Sequence, residues 1–173
     1  MRILVIFGLL FVFSKAEARI AGGNETSITE YPYAAALLTN ADGRPTFEQA
    51  CGGTIITPNA ILSASSCFFS GQTVHQAASW RARVGSTHSN TGGLTYMVRA
   101  ITVHSNFVPG QVDYNVAVLR TTFDIAMRPG VAGARIAGAG YAFNDTAVVT
   151  AIGWGDSSVS IWLMPSVYTN EHL

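Results

Sequence analysis

The sequence predicts an all-β fold, a closed antiparallel barrel, on three observations. Short apolar runs are separated by turn-forming clusters, and few segments show a helical period. One run, Trp80-Arg81-Ala82-Arg83-Val84, alternates apolar with charged residues as a half-buried strand does. Strands spaced in this way point to a barrel. The first runs from Tyr33 to Leu38 and ends at the turn cluster Asn40-Ala41-Asp42-Gly43. Gly53–Ile56 and Ala60–Ala64 supply the next two, followed by Trp80–Val84, Leu94–Val103 and Val116–Leu119. Ala147–Ile152 closes the series. The chain shows no internal repeat and no low-complexity linker.

Bulk composition bounds what such a barrel does. The 173 residues suffice for one modest core, and 49% hydrophobic against 12% charged residues exclude a disordered chain. A formal net charge of zero removes the electrostatic footprint of a nucleic-acid binder. Residues 1–18 read as a secretory signal: Arg2 supplies the positive start, Ile3–Phe13 the apolar run, and Ala16-Glu17-Ala18 the small-x-small cleavage pattern. That run is too short to cross a bilayer, and no later stretch is longer, so no membrane role is expected.

Secretion sets how the cysteines are read. In an oxidising compartment Cys51 and Cys67 are expected to form a disulfide, and without a His pair at ligand spacing no metal site is expected. Asn24-Glu25-Thr26 and Asn144-Asp145-Thr146 are glycosylation sequons. The only lysine is Lys15, inside the signal, so arginine is the sole strongly basic side chain of the mature chain. Arginine keeps its charge in alkaline fluid where lysine loses it, which fits an alkaline gut lumen. On these residues alone the reading ends at a secreted all-β domain with one disulfide.

Four stretches, in order, carry a resemblance. Arg19-Ile20-Ala21-Gly22-Gly23 is similar to a zymogen activation junction, and Cys51-Gly52-Gly53-Thr54-Ile55-Ile56 to a strand that opens a first disulfide. Leu62-Ser63-Ala64-Ser65-Ser66-Cys67 lines up with Leu-Thr-Ala-Ala-His-Cys, and Asp113-Tyr114-Asn115-Val116-Ala117-Val118-Leu119 with Asp-x-Asp-Ile-Ala-Leu-Leu. Trp80–Thr87 and Gly153-Trp154-Gly155 match further landmarks. Together they resemble the chymotrypsin/trypsin-like serine proteases, and the wording around Gln49-Ala50-Cys51-Gly52-Gly53 resembles insect digestive trypsins. The resemblance implies a chymotrypsin-like β-barrel architecture for residues 20–173 after a one-residue activation remnant, Arg19. It implies a complete first barrel over 20–123 and a fragmentary second barrel over 124–173.

It also implies a damaged site. The family cleaves peptides with a Ser nucleophile, a His base and an Asp that orients the His. Here Ser66 stands at the His position, and a hydroxyl cannot take the nucleophile's proton near neutral pH. Asn115 stands at the Asp position, a change that alone costs about 10⁴-fold in an otherwise intact trypsin. The nucleophile motif Gly-Asp-Ser-Gly-Gly does not occur in these residues. Gly155-Asp156-Ser157-Ser158 is a partial look-alike in the wrong place, so Ser157 reads as a turn residue. His104 matches a non-catalytic family histidine, and His75, His88 and His172 read as solvated or core histidines. Met164–Thr169 is similar to the segment that walls the family's substrate pocket, yet only nine residues separate Gly155 from Pro165. Cleavage after Arg19 would free the Ile20 amine without the family's acidic acceptor.

These features predict a secreted protease homologue without peptidase activity and without a cofactor. It would be monomeric and bind protease inhibitors or protein substrates. Two other readings stand beside it: an incompletely assembled product of a digestive serine endopeptidase gene, and residual hydrolysis through an unfamiliar arrangement. Unpaired strand edges and exposed apolar surface are expected beyond the first barrel.

Overall fold

The computed structural model describes residues 26–154, apart from positions 42, 44, 143, 145 and 148. Eight strands form: β1 (Ala34–Thr39), β2 (Glu48–Thr57), β3 (Ala60–Ser63), β4 (Phe69–Ser70), β5 (Thr73–Val74), β6 (Trp80–Val84), β7 (Leu94–Val103) and β8 (Ala117–Thr121). Six of them close a barrel in the order β1-β2-β3-β8-β7-β6, and every adjacent pair is antiparallel. Closure leaves no free edge among the six, so their backbone donors and acceptors are used within the barrel. The two short strands β4 and β5 form a separate hairpin around Gly71, whose φ of 59° suits it to the tight turn.

The alternation read at residues 80–84 is realised in β6. Trp80, Ala82 and Val84 are buried, while Arg81 and Arg83 lie half-buried on the other face. Trp80, Ala82 and Val84 join Leu37, Ile55, Ile61, Phe68, Val98 and Leu119 in one hydrophobic cluster. Trp80 and Phe68 meet edge to face with ring centroids 4.8 Å apart, a favourable arrangement for two large rings at the barrel centre. Close packing also explains Gly53 in β2, where a Cβ would come within 2.6 Å of the Ile61 side chain and 3.1 Å of the Leu62 carbonyl. At the end of β6, Gly85 takes a φ of 69°, and a Cβ there would strike Val131 at 2.7 Å.

The core runs beyond the expected limit at residue 123. Ile125 and Val131 are both buried and belong to the same cluster. The chain beyond them is pinned by Ala132 N–H to the Pro32 carbonyl at 2.9 Å and Ala134 N–H to the Ile55 carbonyl at 2.8 Å. After β8 the only pairing among the described residues is an isolated bridge between Arg128 and Val131. The strand expected over Ala147–Ile152 does not form among its described positions, and Val149 is exposed. A β-propensity run needs a neighbouring strand to take its backbone hydrogen bonds, and no described segment offers one there. Exposed Met127, Ile136, Tyr141 and Val149 agree with the apolar surface expected in this part of the chain.

Candidate degenerate active site

The site is built where two connections meet at one end of the barrel. Leaving β3, the chain turns through a short 3-10 segment, Ser65–Phe68, which carries Ser66 and Cys67. Cys67 is bonded to Cys51 on β2, with Cα atoms 6.3 Å apart. The expected disulfide therefore ties the Ser66 turn to the barrel wall. Closing a loop of that length is worth about 3 kcal/mol in the chain-entropy account.

From the other side comes the loop between β7 and β8. His104 N–H donates to the Val116 carbonyl at 3.0 Å, and Val116 N–H to the Tyr114 carbonyl at 2.7 Å. Tyr114 is the one described non-glycine residue with positive φ, 56°, a conformation that costs an L-residue roughly 1–2 kcal/mol. Its ring stacks on His104 with centroids 4.9 Å apart and planes 16° from parallel, which offsets part of that cost. The sharp turn at Tyr114 places Asn115 opposite Ser66.

Ser66 and Asn115 are joined by two reciprocal hydrogen bonds. The Ser66 backbone N–H donates to Asn115 Oδ1 at 2.8 Å, and Asn115 Nδ2 donates to Ser66 Oγ at 3.1 Å. The amide orientation follows from chemistry, because a backbone N–H must face the carboxamide oxygen. Ser66 Oγ therefore accepts from Asn115, and its own proton is available to a group outside the pair. Neither a hydroxyl nor a carboxamide changes protonation in the physiological range, so this pair offers no general base.

The residues expected at the His and Asp positions are thus brought together, although they lie 49 positions apart in the chain. A third residue was not anticipated. Ser65, fully buried, donates from Oγ to the Val116 carbonyl at 2.6 Å and stitches the two loops together beside the pair. The available signal was its hydroxyl, where the family motif has alanine. Beside these loops an open groove of about 190 Å³ is lined by Thr102, Val103, His104, Val116, Ala117 and Val118.

The remaining expected residues are placed as follows. His104 accepts the Asn106 N–H at Nδ1 (3.2 Å) in addition to its stack on Tyr114. His75 stacks on Trp80 in the core at 5.8 Å, and His88 lies in an exposed loop. No group of three or more His, Cys, Asp or Glu able to hold a metal occurs among the described residues. No described helix is long and apolar enough to cross a membrane. Asn144 is exposed. Arg19, Ile20, Asn24, Asp156, Ser157, His172, the signal segment and the 164–169 stretch lie outside the described residues.

Comparison with known proteins follows the same line. Residues 20–169 match the trypsin family. Alkaline trypsin A of Manduca sexta is 42% identical over 137 residues, covering 79% of this chain and 52% of its own length. Trypsin CFT-1 of Choristoneura fumiferana is 39% identical, covering 80% of this chain and 52% of its own. The chain therefore spans about half the length of these relatives. Among solved structures, the scabies mite inactivated protease paralogue S-D1 superposes with a TM-score of 0.63 at 26% identity, covering 74% of this chain and 50% of the other. A family match across most of the chain, a closed six-stranded barrel and the Cys51–Cys67 bridge converge on one conclusion: the chain belongs to the trypsin-like serine protease family.

Proposed function

We propose that the chain is a secreted trypsin-like protease homologue that binds proteins without cutting them. The observation that carries this reading is the Ser66–Asn115 pair. At the place expected for an imidazole oriented by a carboxylate stands a hydroxyl held by a carboxamide. The nucleophile would have no base to take its proton, and the leaving amine no acid to return it. The motif that carries the family's nucleophile and oxyanion-hole backbone N–H groups, Gly-Asp-Ser-Gly-Gly, does not occur in the 173 residues either. A structural relative whose name states that it is inactivated supports the same direction.

Residues 1–18 direct the protein to the secretory route in this reading, and the disulfide suits that compartment. Three relatives from Manduca sexta carry the name alkaline trypsin, in keeping with a mature chain whose only strongly basic side chains are arginines. The gut lumen is the proposed location, and protein inhibitors of trypsins or protein substrates are the proposed partners. Exposed Ser66 has a hydroxyl proton to donate to such a partner.

A second reading rests on the share of the relatives' length that the chain spans, 52% for the first of them. In it the chain is an incompletely assembled digestive endopeptidase. Supplying the remaining length would leave Ser66 and Asn115 unchanged, so this reading also yields no acid–base catalysis.

The test pairs hydrolysis of an arginyl amide substrate with calorimetric titration by a trypsin-directed protein inhibitor. The expected outcome is no turnover above buffer together with saturable inhibitor binding. The double substitution Ser66→His with Asn115→Asp is expected to leave turnover at the buffer level, because the nucleophile is still missing. Turnover by the wild-type chain would overturn the proposal, and failure of the inhibitor to bind would remove its partner class.

A further inference from the structure

The threonines of the two sequons hydrogen-bond to different partners. In the second, Asn144 is exposed and its Oδ1 accepts two hydrogen bonds from Thr146, the backbone N–H at 3.2 Å and Oγ1 at 3.0 Å. The Ala147 N–H closes the turn on the Asn144 carbonyl at 2.8 Å. In the first, the Thr26 hydroxyl donates instead to the Glu30 carboxylate at 2.9 Å. A hydroxyl has one proton to give, and Thr26 gives it to Glu30.

We infer that Asn144, rather than Asn24, is the N-glycan acceptor of this protein. The inference rests on the proposed secretory route, since the donor is met only there. In the transfer, Asn144 Nδ2 forms a bond to C1 of the sugar of a lipid-pyrophosphate-linked oligosaccharide. The bond from C1 to the pyrophosphate oxygen breaks, the lipid pyrophosphate leaves with its electron pair, and an amide proton passes to a base of the transferase. An amide nitrogen is a poor nucleophile because its lone pair is delocalised onto oxygen. Two donors on Oδ1 stabilise the negative charge that collects there as the proton departs, which favours the reactive form. Both donors act on the oxygen, which leaves the bond-forming nitrogen outside the turn's own hydrogen bonds.

The geometry is also available when the transferase acts, on a chain still folding. The Thr146 contacts span two residues and need no tertiary structure. Asn144 lies in a stretch with no strand pairing among the described residues, so folding does not withdraw it into a ladder. The Thr26–Glu30 contact is equally local, spanning four residues, and so competes in the nascent chain as well.

The experiment expresses residues 1–173 in insect cells, and in parallel residues 20–173 behind an established secretion leader. Intact mass is measured before and after peptide-N-glycosidase treatment, and the resulting Asn-to-Asp conversion is mapped by peptide sequencing. A glycan at Asn144 is expected on the majority of secreted molecules. It is retained in Asn24→Gln and Thr146→Ser and lost in Asn144→Gln and Thr146→Ala. A secreted chain bare at Asn144, or glycosylated at Asn24 alone, overturns the inference, and because the wild-type chain gives the reading, no variant needs to fold. If the native leader fails while the other chain is secreted and carries the Asn144 glycan, the secretion reading falls and the acceptor assignment stands.

Discussion

Residues 34–121 and residues 132–154 both carry short runs of Val, Ile and Ala, yet among the described residues only the first set forms strands. In the barrel every strand has two antiparallel neighbours, and the side chains that point inward meet one another. In the later segment Ile136, Tyr141 and Val149 are exposed; Ala132 and Ala134 are tied to Pro32 and Ile55 and Trp154 to Thr87, and between them the backbone forms local turns such as those at Tyr141 and Ala147. The difference lies in partners rather than propensity. A strand is stable when another chain segment completes its hydrogen bonds and covers its apolar face, and the described residues supply that only as far as β8.

This contrast is open to direct attack. The largest effect is expected from Trp80→Ala, which empties the barrel centre where Trp80 meets Phe68. It should destabilise by about 3–5 kcal/mol in denaturant titration, a large share of an ordinary domain's stability. Next is the joint replacement of Cys51 and Cys67 by alanine. With the 16-residue separation left open, a loss of about 3 kcal/mol and an earlier thermal midpoint are expected.

Ser65→Ala should cost about 1 kcal/mol, because the Val116 carbonyl keeps its bond from the His104 N–H and only one of two donors is lost. The same variant should speed amide exchange in the 113–116 loop more than in β6, which a general loss of stability would not do. Ile136→Ser and Val149→Thr should change stability by no more than about 0.5 kcal/mol, since neither side chain is buried. A cost of several kcal/mol at either position would mean that the later segment has a packed partner, and the contrast would fail.

Much of the barrel was legible in the sequence because its signals are local. The alternation at 80–84 and the apolar run at 94–103 mark strands whose observed limits are the same, and the turn cluster at 40–43 ends β1. The hairpin of β4 and β5 was overlooked, although Ser70-Gly71-Gln72-Thr73 has glycine at its turn. The strand expected at 147–152 was over-read for the opposite reason: propensity is local, whereas pairing is not. At the site, motif order indicated which residues would stand at the His and Asp positions. It did not reveal that Ser66 and Asn115 satisfy each other, nor that Ser65 fastens their two loops. Those depend on four residues meeting across 49 to 51 positions of chain, which no local pattern encodes.

The replacement pair also bears on how such a site persists. Ser66 and Asn115 each supply a hydrogen-bond partner to the other across the two loops. If Ser66 and Asn115 stand in for His and Asp as proposed, the result is a neutral junction between the two loops. Asn115→Ala would expose this dependence by leaving the Ser66 N–H without its acceptor.

The proposed function requires that no serine of this chain be activated for attack on an acyl or phosphoryl centre. The direct measurement is treatment of folded, disulfide-bonded residues 20–173 with a fluorophosphonate probe beside active trypsin, followed by intact mass and peptide mapping. The expected result is full labelling of trypsin and none of this chain. Stoichiometric labelling of the folded chain, mapped to Ser157, Ser66 or any other serine, would contradict the account.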